Sequence, residues 1–242
     1  TKVCSNIYTA WALDVMTKLK KMGWLESEKE YLYIDTKLYA KNTIYASLLK
    51  LPKVGDGVGD PGIPMLFASL CKIGEGQNST LVVLYRARQK FSLSGRAYIL
   101  KAAAELNNRE IVEALRQELS NTLKIEERQA WFEEDGTAEL NTISERALSN
   151  AAALSAMLRS GDFKFAPKVF AWLFSHKVSG TWGFELADAK VAEALTTYTD
   201  KEQVVRHDVE VKVRSGGKQL LKGTLKYPQA NCLFASSPIA TI

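Results

Sequence analysis

A helical apolar period recurs through the first 200 residues and is the feature that most constrains this chain of 242 residues. Ile111, Leu115 and Leu119, for example, lie four residues apart, which places them on one face of a helix. Three alanine-rich helical segments begin near Arg96, Arg146 and Asp188. Their intervals of 50 and 42 residues are typical of an array of helix pairs. Such arrays stack openly or close into an α/α toroid, and short alanine-rich helices with long glycine loops favour the toroid.

The same periodicity predicts helices along most of the chain. They are expected over residues 7–21, 36–49, 65–73, 78–88, 94–106, 109–123, 142–158, 168–175 and 187–198. Thr142 and Glu145 form a capping box, which marks the start of a helix. The stretch from Pro52 to Pro64 is rich in glycine and proline and is expected to be a loop. The predicted fold class is therefore mainly α, an α/α toroid of helical hairpins with a short C-terminal β segment.

The last 40 residues follow a different period. Val209, Val211 and Val213 alternate with charged residues, and a second alternating run covers residues 221–227. Gly216-Gly217 lies between the two runs, as in the turn of an antiparallel hairpin. Because an isolated hairpin is marginal in water, this one either packs on the helices or begins a further β domain. We predict an α/α toroid over residues 1–203 and a hairpin segment over 204–242 that starts a following β-sandwich domain.

The charge distribution bears on the kind of partner. The formal net charge is +5, of which residues 201–242 carry +4, from seven basic and three acidic residues. The first 200 residues therefore carry only +1 and have no basic stripe with interleaved aromatic residues, so nucleic-acid binding is not expected. No apolar run approaches the length of a membrane span, since charged residues such as Lys101 interrupt each one.

The residues that most often carry catalysis or bind metals are scarce and scattered. Cys4, Cys71 and Cys232 lie far apart with no histidine at ligand spacing, so neither a zinc site nor a dense disulfide framework is expected. His176 lies near the end of a predicted helix and His207 at the start of a strand, and we expect a structural role for both. We predict no metal, nucleotide or other cofactor.

Two short segments have a composition that bears on catalysis. Glu133, Glu134 and Asp135 follow two aromatic residues, which is a composition that a toroid glycosidase could use. Neighbouring carboxylates of one loop rarely converge on one substrate atom, so a solvated loop is the expected structure. The segment from Gly55 to Gly62 lacks the Lys-Ser/Thr of a phosphate-binding loop and follows a helix rather than a strand. Neither segment is assigned a catalytic role.

Four stretches together resemble a known family. They are LYRARQKFSLSGRAYILKAAAEL (84–106), TISERALSNAAALSAML (142–158), WLFSHKVSGTWGFELADAKVAEALTTY (172–198) and RHDVEVKVRSGGKQLLKGTLKY (206–227). In content and order they are similar to the thioester-type helical domain of bacterial alpha-2-macroglobulins and the start of the β domain that follows it. Gly180-Thr181-Trp182-Gly183 also resembles the Gly-x-Trp turns of terpenoid-cyclase-type toroids, although the aspartate-rich motifs of the cyclases are absent.

The resemblance implies an α/α toroid within a large multidomain protein of the cell envelope or periplasm that entraps proteases. In many members of that family an internal thioester, within a Cys-x-Glu-Gln motif, captures the protease covalently. This chain departs from the motif at each of its cysteines, which are followed by Ser5-Asn6-Ile7, Lys72-Ile73-Gly74 and Leu233-Phe234-Ala235. It also has Phe184-Glu185-Leu186 where the family has Thr-Gln after the Trp-Gly turn. No thioester is therefore expected within these 242 residues.

The expected function is that of a non-enzymatic structural and interaction domain of an alpha-2-macroglobulin-like protein. Its implied partners are the other domains of a larger polypeptide and, through that parent protein, proteases. With Thr at position 1, the chain reads as a piece of a longer polypeptide, with Cys-x-Glu-Gln either upstream or absent from this member. The alternatives are an α/α toroid carbohydrate-active enzyme and a generic helical-repeat binding scaffold.

Overall fold

The structure, a computed structural model, describes residues 5–49, 60, 62–133, 143–161, 163–202, 209–215 and 218–225. These residues are mainly helical, which confirms the mainly α part of the predicted fold class. The chain divides into two compact units, Thr1–Thr197 and Tyr198–Ile242. None of the described helices combines the length and the apolar character that crossing a membrane requires.

The described regular elements follow one another in a simple order. The α-helices are α1 (Asn6–Lys21), α2 (Glu30–Leu48), α3 (Gly62–Lys72), α4 (Asn78–Arg86), α5 (Leu93–Glu105), α6 (Arg109–Asn121), α7 (Ile143–Ser160), α8 (Ala166–Ser175) and α9 (Glu185–Glu202). The strands are β1 (Leu123–Ile125), β2 (Ala130–Phe132), β3 (Val209–Ser215) and β4 (Lys218–Leu225). Two single 3₁₀ turns cover Ser27–Lys29 and Arg88–Lys90.

Two helices begin three or more residues earlier than predicted. Helix α2 begins at Glu30 rather than Thr36, because the 3₁₀ turn before it leads directly into the helix and Glu30 forms an ion pair with Lys20 at the end of α1. Helix α3 begins at Gly62, whose backbone N–H donates to the Asp60 carboxylate over 2.7 Å. The predicted loop from residue 52 to 64 is therefore wrong at its end, since a proline is tolerated in a first helical turn. Residues 52–59 and 61 lie outside the described ranges.

The helices of the first unit pack on one another in a regular order along the chain. Helices α1, α3, α5 and α7 pack in sequence, each on the next, and the even-numbered helices pack beside them, α2 on α1 and α3, α4 on α5, α6 on α5 and α7, and α8 on α7. Ala102 and Ala103 of α5 and Ala152 and Ala153 of α7 are buried, and such small side chains let helix axes approach closely. We call α1, α3, α5, α7 and α9 the inner helices, because each contributes side chains to the charged cluster described below.

A short hairpin that the sequence did not predict lies between α6 and α7. Its strands β1 and β2 pair antiparallel, with Leu123 opposite Phe132. The buried amide of Asn150 in α7 completes the edge, because its Oδ1 accepts from the Phe132 N–H over 2.7 Å and its Nδ2 donates to the Phe132 carbonyl oxygen over 3.1 Å. The Asn150 side chain thus acts as the missing neighbour strand and anchors the hairpin to α7.

The second unit contains the hairpin predicted at the C-terminal end. Strands β3 and β4 pair antiparallel from Val209 opposite Leu225 to Ser215 opposite Lys218, with a register shift between Val213 and Arg214. The alternating pattern therefore predicted both strands. The turn glycines lie outside the described residues.

Candidate functional site

A cluster of charged side chains lies where the inner helices meet. We call it the inner charge cluster, and it consists of Asp14 of α1, Lys72 of α3, Lys101 and Glu105 of α5, Arg159 of α7, and Lys190 and Glu193 of α9. The side chains of these residues are mostly buried, with exposed fractions between 5% and 32%. Long charged side chains reach across a helix interface where shorter ones would leave a gap.

Glu193 occupies the middle of the cluster. Its Oε1 accepts a hydrogen bond from Lys101 Nζ over 2.8 Å, and its Oε2 accepts one from Lys190 Nζ over 2.9 Å. The side chains of Lys101 and Lys190 are only 10% and 5% exposed. One carboxylate therefore compensates two lysines that have lost most of their hydration.

Further ion pairs connect Glu193 and its lysines to the remaining inner helices. Lys190 Nζ lies 3.7 Å from Asp14 Oδ2, and Lys72 Nζ lies 3.8 Å from Asp14 Oδ1. Arg159 forms an ion pair with Glu105. Every carboxylate of the cluster thus has a cationic partner on a different helix.

The pKa shifts follow from this arrangement. Burial alone would raise the pKa of Glu193, but the charges of Lys101 and Lys190 outweigh it and hold the pKa well below its usual range. Burial would likewise lower the pKa of Lys190, but the neighbouring Tyr98, Glu193 and Asp14 raise it. For Lys101 burial prevails, and its pKa is lowered. Glu193 therefore stays ionised throughout the range in which a general acid would have to carry a proton.

Tyr98 closes one side of the cluster. Its ring centroid lies 5.5 Å from Lys101 Nζ and 5.8 Å from Lys190 Nζ, within the range of cation–π attraction. Burial raises the pKa of the Tyr98 hydroxyl to about 12, so the ring is neutral at physiological pH. The cavity among these side chains measures about 10 Å³, which is room for a single water molecule. The cluster can join helices, but it offers no room for a substrate.

Of the three acidic residues considered from the sequence, the structure describes Glu133. Glu133 is exposed and pairs with Lys124 over 3.2 Å across the β1–β2 hairpin. Glu134 and Asp135 lie outside the described ranges. The exposure of Glu133 agrees with a solvated loop, and for the segment as a whole the solvated loop stays a prediction.

The cysteine that the structure describes is buried in α3. Burial, with a contribution from Glu105, raises the pKa of the Cys71 thiol to about 12, which leaves it protonated and unreactive. This buried position suits a role in core packing. Cys4, Cys232 and His207 lie outside the described residues.

His176 caps the C-terminal end of α8. Its Nδ1 donates to the carbonyl oxygen of Trp172 over 2.8 Å, and its ring stacks on the Trp172 ring with 4.1 Å between centroids. Both contacts are made with the same helix, as expected for a histidine with a structural role.

The Trp-Gly turn connects α8 to α9 and is held by one carboxylate. Asp188 in the first turn of α9 accepts from the Trp182 N–H over 2.7 Å and from the Thr181 hydroxyl over 2.8 Å. The indole of Trp182 donates to the Leu173 carbonyl oxygen over 2.7 Å. Gly180 and Gly183 have φ of +86° and +100°, a conformation that favours glycine. The turn therefore fixes the position of α9 against α8.

The inner charge cluster was missed by the sequence reasoning. Its signal was present, since Lys101 interrupts an alanine-rich helix, and Lys190 and Glu193 lie three residues apart on another. A charge in the middle of a helix with small side chains is a sign that the charge faces a partner helix. The identity of the partners depends on tertiary structure.

Within the described ranges, no group of three or more His, Cys, Asp or Glu side chains is arranged to hold a metal ion. No protein-family model matches the chain, and no curated protein matches it. The arrangement of the inner charge cluster is therefore the main guide to function.

Proposed function

We propose that this chain is a non-enzymatic structural and interaction domain, an α/α toroid of the kind found in alpha-2-macroglobulin-like proteins of the cell envelope or periplasm. The observation that carries the proposal is the inner charge cluster, in which each carboxylate is bound by a lysine or arginine of another helix. Such mutual pairing joins helices together and leaves no carboxyl group of the cluster poised to exchange protons.

The closed ring is supported by the contact between the first and the last helix. Asp14 on α1 lies 3.7 Å from Lys190 on α9, and Glu193 of α9 binds Lys101 of α5. In an open superhelix the first and last helices are separated by all the others. The second feature that favours a toroid is that α2, α4, α6 and α8 pack beside the inner helices that they follow in the chain or precede.

The protease-entrapping parent is proposed from the order of the four similar stretches. Cys71 is followed by Lys72-Ile73-Gly74 and is buried, so this cysteine is not a thioester nucleophile. The domain would then act as a rigid body to which other domains of the parent attach. Whether the parent carries Cys-x-Glu-Gln decides between covalent entrapment and entrapment by conformational change alone.

Ring closure is tested with a double-mutant cycle on the 242-residue chain. Asp14→Asn, Lys190→Met and the double variant are unfolded in urea, and we expect a coupling of about 0.5 kcal/mol or more between the two sites. The matched control is the same cycle on Lys124 and Glu133, which form an exposed ion pair across the β1–β2 hairpin. Additivity of Asp14→Asn and Lys190→Met would contradict the closed ring.

The function itself is tested in two arms. In the first, the 242-residue chain is incubated with methylamine and with polysaccharide and peptide substrates, and we expect neither amine incorporation nor turnover. Turnover that Glu134→Gln abolishes would establish the carbohydrate-active alternative instead.

In the second arm, the full-length parent is mixed with an active protease. We expect the protease to remain active on a small peptide while losing activity on a large protein, because it is enclosed rather than blocked at its active site. Equal loss on both substrates, or no loss on either, would overturn the entrapment proposal.

A further inference from the structure

An open groove lies between α1 and α2, away from the inner charge cluster. Its volume of about 560 Å³ is within the range of small-molecule pockets. Of the described residues that line the groove, Asp35 alone is charged. We call it the α1–α2 groove, and its walls comprise Tyr8, Thr9 and Ala12 of α1, and Asp35, Thr36 and Tyr39 of α2.

The Asp35 carboxylate is not neutralised by the helices that form the groove. Side chains three and four positions away are its neighbours on α2, and none of them is basic. Lys37 and Lys41 are the two lysines of α2, and both bind the Glu75 carboxylate instead. Across the part of the chain that the structure describes, Asp35 has no ion-pair partner. Its neighbours at those positions are Tyr31, Leu32, Leu38 and Tyr39.

The threonine hydroxyls of the groove are already engaged by their own helices. Thr9 Oγ1 donates to the Ser5 carbonyl oxygen over 3.2 Å, and Thr36 Oγ1 donates to the Leu32 carbonyl oxygen over 2.7 Å. Ser5, which also lines the groove, contributes one hydroxyl. The groove therefore presents few polar groups, of which the Asp35 carboxylate carries the charge.

Two aromatic rings lie on opposite walls of the groove. Tyr8 belongs to α1 and Tyr39 to α2, and both side chains are exposed. Tyr39 follows Asp35 by four residues, which places it one turn further along the same side of α2. The face of a tyrosine ring attracts a cation, so the rings and the carboxylate favour the same sign of charge in a ligand.

We propose that the α1–α2 groove binds an organic ammonium ion with an apolar body. The ammonium group lies beside the Asp35 carboxylate, which supplies the missing opposite charge, and within reach of the Tyr8 and Tyr39 rings. The apolar body of the ligand packs against the rings and Ala12. Recognition of ammonium groups by aromatic side chains is a well-established use of the cation–π attraction.

Other classes of ligand fit the same lining less well. Asp35 repels an anion, and a neutral apolar molecule would displace water from the carboxylate without replacing its interactions. A sugar is held by several hydrogen-bonding side chains, and the hydroxyls of Thr9 and Thr36 are already bonded to backbone carbonyl oxygens.

The first experiment compares two probes of nearly the same shape that differ in charge. The 2-phenylethylammonium ion and neutral 2-phenylethanol are titrated at pH 7 into the isotopically labelled 242-residue chain, and amide chemical shifts are followed by NMR. We expect the ammonium ion to bind at least about 5-fold more tightly, because a charge pair near a protein surface is stabilised to that extent, with shifts at residues 5–12 and 35–39. Equal affinities, or shifts confined to other residues, would overturn the proposal. So would saturable binding of methyl glucoside in the groove without binding of the ammonium ion.

The second experiment changes the groove itself. Asp35→Asn should raise the dissociation constant of the ammonium probe about 5-fold or more while leaving that of the alcohol unchanged, and Tyr39→Leu should raise it about 2- to 5-fold. Both side chains are exposed, so the fold is expected to be retained, which circular dichroism checks. Glu113→Gln is the matched control, since Glu113 is an exposed acid on α6 and does not line the groove. Wild-type affinity in Asp35→Asn, or an equal loss in Glu113→Gln, would show that Asp35 does not bind the cation.

Discussion

Replacement of Glu193 by glutamine tests the inner charge cluster most directly. The variant keeps the size of the side chain but leaves Lys101 and Lys190 buried without their shared counter-ion. Breaking a buried ion pair by removing one partner costs about 3–5 kcal/mol. Because the Glu193 side chain is 14% exposed and Asp14 remains 3.7 Å from Lys190, we expect the lower end, about 3 kcal/mol, in the free energy of unfolding.

Urea denaturation followed by circular dichroism provides the measurement, with the slope of the transition used to check that cooperativity is unchanged. Glu30→Gln is the matched control, since Glu30 forms an ion pair with Lys20 on the exposed surface, and its midpoint should stay near that of the wild type. The Lys101→Met/Glu193→Gln double variant should be less destabilised than the sum of its single variants, because the unpaired buried charge on Lys101 is gone. A change of less than about 0.5 kcal/mol for Glu193→Gln would refute the reasoning, since exposed ion pairs contribute that little.

The same variant has a distinct pH signature. The pKa of Glu193 is lower in the folded chain than in the unfolded chain, so its contribution to stability is present above the unfolded pKa of about 4.3 and is lost as the pH falls toward the folded pKa. Below pH 4 the wild type should therefore lose stability more steeply than Glu193→Gln, by up to about 1.4 kcal/mol per pH unit. Parallel curves between pH 5 and pH 2 would show that Glu193 is solvated.

Three further experiments test the packing of buried residues in the first unit. Asn150→Ala should cost about 2–3 kcal/mol in the free energy of unfolding because it leaves buried backbone groups of the β1–β2 hairpin unpaired, and an unchanged urea midpoint would count against this role. Leu154→Ala in α7 should cost about 2–5 kcal/mol by opening a cavity, which a loss under 1 kcal/mol would contradict. In a Cys4→Ser/Cys232→Ser background, Cys71 should resist iodoacetamide at pH 8 and react only in denaturant, and rapid native alkylation, followed by mass spectrometry, would show the thiol to be accessible.

The helices could be predicted from the sequence because their apolar residues follow the helical period over ten or more positions. The hairpin of β1 and β2 could not, since each strand has three residues and is held by the Asn150 side chain rather than by its own pattern. The start of α2 was missed for a related reason. Tyr31, Leu32, Tyr33 and Ile34 form a continuous apolar run, which hides the helical period.

The inner charge cluster lay beyond sequence reasoning because its members come from distant parts of the chain. Asp14 and Lys190 are more than 170 residues apart, and no local pattern relates them. The sequence does indicate that a buried charge needs a partner. A lysine in an alanine-rich helix that is packed on both sides loses its hydration, which costs free energy unless the lysine is paired. Lys101 was noted only as an interruption of an apolar run.

The charges on the inner helices restrict how alanine-rich helices can slide along one another. Small side chains let α5 and α7 approach closely, but alanine faces are so alike that sliding by one turn, about 5.4 Å, changes their packing little. A slide of that size between α5 and α7 would separate Arg159 from Glu105, and one between α5 and α9 would break the 2.8 Å contact between Lys101 and Glu193. The ion pairs therefore fix the register of helices whose apolar contacts alone would tolerate several, which is the best-attested use of a buried charge pair.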